Sequence, residues 1–540
     1  MSSQFRRFTL SFLAAFVLLG ASAQAGTVVA DSGFRPDPDG FSFANYGDDE
    51  GYKNLNVAEV RKIFGNGVCL SGKASKCVLN PAVRSWMDQI NDSMAGGHCY
   101  GFATLSSLIL GGDLPRFGFS SIEGLGGGPT TFDLGIESNV VLQRSIARAF
   151  SAQYLPSVTT KTVISTPKDV INQLVADLGS EGAETWNFGI YQWGMKGGHA
   201  ITPYAVEDMG AGKFDVHVYD NNFPNDADRR LTVDTVKNTW GYYATTKPGN
   251  PAAQYTGNAK SKTLRLMPVT PGLGIQPCEY CVGRQGAKSK HNQITLSSSG
   301  SEHASLLITD QKGRKTGFQN GRLVNQIPGA QVLPRSSGGP QISADGTVES
   351  INSLEPVYRI PKNLKLKIRI DGRRMTYQDR EDLNVVGPTF DATVEDVRVG
   401  PGKVAHVTLS PKKQTLSFTG SKGESSPTVT FGAESDRAAY RINVSAPGAP
   451  SRSTFFFAKK PNYGLLRIGS KSSAAQKYRV MISRFDTSGQ SRFARSYSIR
   501  GKQQAFLYYA PLARKNGVAR VAIGEPGKQR IKVLKLRKVS

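Results

Sequence analysis

The chain has 540 residues, 39% hydrophobic and 20% charged, enough apolar content for several cores at about 150 residues per domain. That balance excludes wholesale disorder, and its 58 glycines lack the three-residue period of a collagen-like chain. The net charge of +25 is unevenly placed: residues 1–285 hold 24 Lys/Arg against 25 Asp/Glu, and residues 286–540 hold 43 against 17. A neutral half joined to a basic half implies a division of labour, the basic half facing something anionic.

Arg6 and Arg7 precede an apolar run from Phe8 to Leu19, and Ala21-Ser22-Ala23-Gln24-Ala25 follows. A basic start, an apolar stretch and a small-residue ending predict a secretory signal over residues 1–25. The run is too short to span a bilayer, and no later stretch approaches about 20 apolar residues. The mature protein is therefore expected to be secreted, extracellular or associated with the cell surface. Export favours disulfides among Cys69, Cys77, Cys278 and Cys281, with all three connectivities open and a four-thiolate zinc site as the competing use. Cys99 is left over, which flags a free reactive thiol.

Asn80-Pro81 caps a predicted helix running to about Met94. Gly96-Gly97-His98-Cys99-Tyr100-Gly101 then leads into a second helix, closed by Gly111-Gly112 and apolar on every side, so it should lie buried. Cys99 falls in its first turn, where unpaired N–H groups and the helix dipole favour a thiolate nucleophile. A nucleophile needs a base. Among six histidines, His98 adjoins Cys99 and points elsewhere on a helical turn, whereas His199 lies near the start of a run from Gly197 to Asp208 that reads as a strand. A glycine turn and a second alternating run, Phe214 to Asn222, complete a β-hairpin. With the turn centred between Met209 and Gly210, His199 stands opposite Asp220; a slide of two residues brings Asn222 there on the same face. Either could hold the imidazole in its working tautomer.

The glycine-led Cys99 at a helix start, the Gly197-Gly198-His199-Ala200 strand and the Tyr219-Asp220-Asn221-Asn222 strand end, in that order, resemble papain-like cysteine peptidases of the bacterial branch with Asp as third member. The resemblance covers about residues 34–285. It implies that Cys99 attacks the scissile carbonyl, His199 relays the proton and Asp220 orients His199. The family's oxyanion-binding Gln six residues before the nucleophile is Ser93 here; Asn91 is the amide expected to take that role beside the Cys99 backbone N–H. Tyr100 replaces a frequent Trp. Transglutaminase-like folds share the Cys, His, Asp order, and peptidoglycan hydrolases share Cys then His.

Thr166-Pro167-Lys168-Asp169 predicts a capped helix with Val170, Leu174, Val175 and Leu178 on one face. The glycine-rich stretch from Leu114 to Pro129 is a candidate cover for the cleft. Beyond about residue 286, alternating runs such as Leu364 to Ile370 and Ile531 to Val539 predict short strands. Residues 451–540 carry 21 Lys/Arg against only Asp486 and Glu525. The expected fold class is α+β: a signal over 1–25, a papain-like helix-plus-antiparallel-sheet domain over 26–285, and two β-sandwich-like domains over 286–400 and 401–540. The sequence reads as a secreted cysteine peptidase with a polypeptide substrate, tethered through residues 286–540 to a wall polymer, lipopolysaccharide or extracellular DNA. A peptidoglycan amidase or endopeptidase, and an inactive surface-binding protein, are the competing readings. No calcium, nucleotide or flavin motif is present, so no cofactor or metal is expected.

Overall fold

The structure is a computed structural model. It describes residues 26–540 except 48–49, 196, 245–253, 282–288, 299, 301, 338–340, 343–347, 351–353, 389, 421–426, 447–453, 461–463, 471–473, 515–516, 528–531 and 540. The predicted secretory signal lies outside the described residues.

Four helices organise the neutral half: α1 (Pro81–Ser93), α2 (Cys99–Leu110), α3 (Val140–Ser151) and α4 (Pro167–Asp177). Each start follows from local chemistry. The Asn80 side chain accepts from the Val83 N–H at 2.9 Å, with Pro81 in the first turn, where a missing N–H costs nothing. Thr166 and Asp169 close a reciprocal capping box at α4, satisfying two otherwise orphaned donors. Every residue of α2 from Cys99 to Leu108 is buried, as its uniformly apolar surface requires. At Gly101 it runs so close to α3 that a Cβ would sit 2.3 Å from the Ile146 carbonyl oxygen.

Beside these helices stands an antiparallel sheet of β1 (Thr27–Asp31), β2 (Trp186–Tyr191), β3 (Gly198–Asp208), β4 (Lys213–Tyr219), β5 (Arg230–Asp234), β6 (Thr239–Tyr243), β7 (Gln254–Asn258) and β8 (Leu264–Pro268). The order is β8-β2-β3-β4-β5-β6-β7, with β1 also paired to β3. The predicted β3–β4 hairpin is present, but its turn is longer. Gly210, Ala211 and Gly212 all take positive φ, so the turn centres on Ala211. Thr202 faces Tyr219, the register shifts between Pro203 and Ala205, and Val206 faces Val216. The pairing is thus two to three residues later than a turn at Met209-Gly210 dictates.

Cys69 is bridged to Cys77 and Cys278 to Cys281, leaving Cys99 free and buried. Of the three open connectivities, the structure takes the one that joins sequence neighbours. The glycine-rich stretch after Leu114 folds back on the helices: Leu114, Leu125 and Leu134 share an apolar cluster with Phe102, Leu105 and Ile146.

The basic half is built mainly of two antiparallel sheets of ten and eleven strands, beside a small two-stranded one, and the two large sheets enclose an apolar core that runs from Ile294 to Leu536. Near Gly400 the chain crosses from one sheet (Asp391–Val399) to the other (Val404–Ser410), and both sheets continue on either side. Helix α1 rests on the ten-stranded sheet. Gln293 donates to Gln89 at 3.0 Å, Arg441 pairs with Asp88 at 3.4 Å, and the Arg84 guanidinium lies 4.8 Å from the Phe485 ring centroid. No helix among the described residues is long and apolar enough to cross a membrane.

Candidate active site

Gly97 sets the turn that delivers Cys99. Its φ of +139° is disfavoured for other residues, and a Cβ there would sit 2.7 Å from the Asn45 amide. Asn45 accepts from the His98 N–H at 2.7 Å and donates to Asn222 at 3.1 Å. It fastens the entry of α2 to the end of the hairpin. Cys99 is the first residue of α2 and is fully buried. Gly101 and Phe102 donate back to the His98 carbonyl. The Cys99 and Tyr100 N–H groups have no carbonyl one turn earlier in the helix, so they form a positive end beside the sulfur.

His199 stands on β3, fully buried. The next residue on the strand, Ala200, donates its N–H to Cys99 Sγ at 3.3 Å. His199 Nε2 donates to Asp220 Oδ1 at 2.7 Å. Nδ1 has no hydrogen bond of good geometry, yet the Cys99 sulfur is near enough to act on the ring. With Nε2 taken by Asp220, Nδ1 is the atom left for the sulfur. Burial pulls the imidazole pKa down, but the Asp220 charge and then the Cys99 sulfur outweigh it and raise the value to about 10. Asp220 moves the other way. Burial pushes its pKa up, and His199, the Tyr242 hydroxyl and the Asn222 N–H together bring it below the ordinary carboxylate value.

The sequence offered Asp220 or Asn222 as the third member. The structure brings Asp220 to His199, while the Asn222 side chain accepts from Asn45 and its N–H donates to Asp220 Oδ1 at 2.9 Å. This happens although the strand register is the later one. The chain leaves β4 after Tyr219 and turns, with Phe223 N–H donating to the Asp220 carbonyl, and the carboxylate swings back to the imidazole. His98 has both ring nitrogens engaged, with the Tyr46 carbonyl at 2.8 Å and Asn54 at 2.7 Å. Burial lowers its pKa to about 4, so it is neutral and structural.

Asn91 is not among the residues brought together. Its Oδ1 accepts from the Leu55 N–H and its Nδ2 donates to the Leu55 carbonyl. This pairing takes the amide oxygen and one of its two N–H donors, and no hydrogen bond joins Asn91 to Cys99 or His199 among the described residues. Two other residues escaped sequence reasoning. Tyr242 donates to Asp220 Oδ2; its signal was the alternation of β6, where Trp240 and Tyr242 turn inward and Tyr243 outward. Asn221 is fully buried and donates to both the Cys99 and Ala200 carbonyls at 3.2 and 2.8 Å, tying α2 to β3. Nothing in its spacing distinguished it from Asn222.

An apolar cavity of about 350 Å³ borders α2 at Thr104 and Leu108. Cys99, His199 and Asp220 do not line it, so it is not the reacting centre. Comparison of the chain with protein-family models, curated proteins and solved structures finds no match.

Proposed function

We propose that the chain is a secreted papain-like cysteine hydrolase, a peptidase that works through Cys99, His199 and Asp220 and is tethered by its basic β half to an anionic surface polymer. The observation that carries this reading is the imidazole of His199, held through Nε2 by a buried carboxylate with its other nitrogen left to a free thiol at a helix N-terminus. In the reaction the Cys99 thiolate attacks a peptide carbonyl, and the Cys99 N–H stabilises the developing oxyanion. The C–N bond breaks as His199 gives its proton to the leaving amine. Water, deprotonated by His199, then releases the acid from the thioester.

Prolonged incubation with an epoxysuccinyl peptide tests the assignment. One adduct per chain is expected on Cys99, with none in Cys99→Ala and casein cleavage lost in parallel. Casein cleavage that persists in Cys99→Ala defeats the assignment.

A further inference from the structure

All three triad residues are fully buried, so no substrate reaches them in this conformation. The cover comes from the other half of the molecule. After the edge strand Gln331–Leu333, which pairs with Val357–Pro361, the chain passes over the neutral half as Pro334-Arg335-Ser336-Ser337. Its backbone threads between the two glycines that lead into the nucleophile and the base. A Cβ on Gly97 would sit 2.3 Å from the Ser337 carbonyl oxygen, and one on Gly198 would sit 2.7 Å from that of Arg335. Gln153 holds Ser336 by both backbone groups, accepting from its N–H at 2.9 Å and donating to its carbonyl at 3.2 Å. Ser336 Oγ lies 3.0 Å from the Tyr191 hydroxyl, and Ser336 itself is fully buried. These are the contacts of an extended peptide read through its backbone, with room for one small side chain.

We infer that the groove between Gly97 and Gly198 is a binding site for an extended peptide with a small central residue, and that the chain's own Pro334–Ser337 occupies it and keeps the site closed. The inference rests on the hydrolase reading for its catalytic meaning, not for the binding. Three features argue against a mere packing filler. Pro334 is the one buried apolar residue of the segment; Arg335, Ser336 and Ser337 are also buried but polar or charged, so hydrophobic burial acts at its first residue and not where it crosses between the glycines. Arg335 donates to the Leu296 carbonyl at 2.9 Å, yet its Nε is buried without a hydrogen-bond partner, which costs stability. The glycines are placed where side chains would evict the segment. A closed state held mainly by backbone hydrogen bonds, and charged this penalty, is readily exchanged for a peptide in trans.

The test uses the full chain, in which Cys99 is the free thiol, and reads its alkylation by iodoacetamide with the disulfides intact. Gln153→Ala and Arg335→Ala are each expected to alkylate at least tenfold faster than wild type, with unchanged near-ultraviolet circular dichroism. Should Arg335→Ala fail to fold, Gln153→Ala carries the test from the opposite side of the contact. A synthetic peptide spanning residues 331–340 should slow alkylation of Gln153→Ala, and the same peptide with Ser336→Phe should not. Equal alkylation of wild type and Gln153→Ala, or equal protection by both peptides, overturns the inference. Casein cleavage is scored in the same samples. Faster alkylation with no cleavage in any form removes the hydrolase reading and leaves the groove; cleavage without any change in alkylation does the reverse.

Discussion

At His199, burial and charge pull in opposite directions, and the charge of Asp220 decides the outcome. The sign of the pH effect follows. The imidazole pKa rises on folding from 6.5 to about 10, so its stabilising contribution is complete below pH 6.5 and is lost as pH rises through about 10. The Asp220 pKa falls on folding from 3.8, so its contribution is present above that value and is lost on acidification. Glutamine cannot take up the proton. The melting-temperature gap between wild type and His199→Gln should therefore be widest between pH 3.8 and 6.5 and close toward pH 10, as followed by circular dichroism. A gap independent of pH would mean that folding leaves the imidazole pKa at its unfolded value.

Among the elements, α2 and its neighbours do most to fix the geometry. Gly101 lets α2 approach the Ile146 carbonyl of α3. Alanine there gains helix propensity worth about 1 kcal/mol, but its methyl would sit 2.3 Å from a backbone oxygen that a rotamer change cannot move. The clash should win. Gly101→Ala is expected to lose about 1–3 kcal/mol in urea denaturation, and stability equal to or above wild type would show that the two helices can part without cost. The helix starts were legible because Asn80, Thr166 and Asp169 act on backbone groups three residues away and Pro81 pre-sets the first helical φ. The hairpin was legible as two alternating runs, but its register was not. Turn length depends on which of Gly210, Ala211 and Gly212 take positive φ, and Ala211 carries no compositional sign that it does.

At the scale of the whole molecule, the neutral half sits on the ten-stranded sheet through α1, and the basic half sends Pro334–Ser337 back against Gly97 and Gly198. Lys477, Arg479, Arg492, Lys532, Lys535, Arg537 and Lys538 are exposed on strands whose apolar partners, Tyr478, Val480 and Leu536 among them, are buried. Lys532 and Lys535 lie on the eleven-stranded sheet and the others on the ten-stranded one, and screened attraction of such exposed cations to a polyanion weakens with ionic strength. Retention on a heparin column should fall steeply with added salt, and replacing Lys477, Arg479, Lys532 and Lys535 by glutamate should elute the protein at markedly lower salt. Unchanged elution of the variant would move the anionic contact elsewhere on the basic half.

The sequence by itself determined the elements, the free cysteine, the charge division and the pairing of His199 with a carboxylate or amide at the hairpin's end. Each of these rests on composition, on alternation, or on contacts between residues a few positions apart. Only the tertiary structure decided that Asp220 rather than Asn222 meets the imidazole, that Tyr242 and Asn221 brace the site, that Asn91 is taken by Leu55, and that a segment more than 130 residues beyond His199 lies across the groove. Those contacts join groups far apart in the chain or depend on which way one side chain swings at a turn, and no local pattern encodes them.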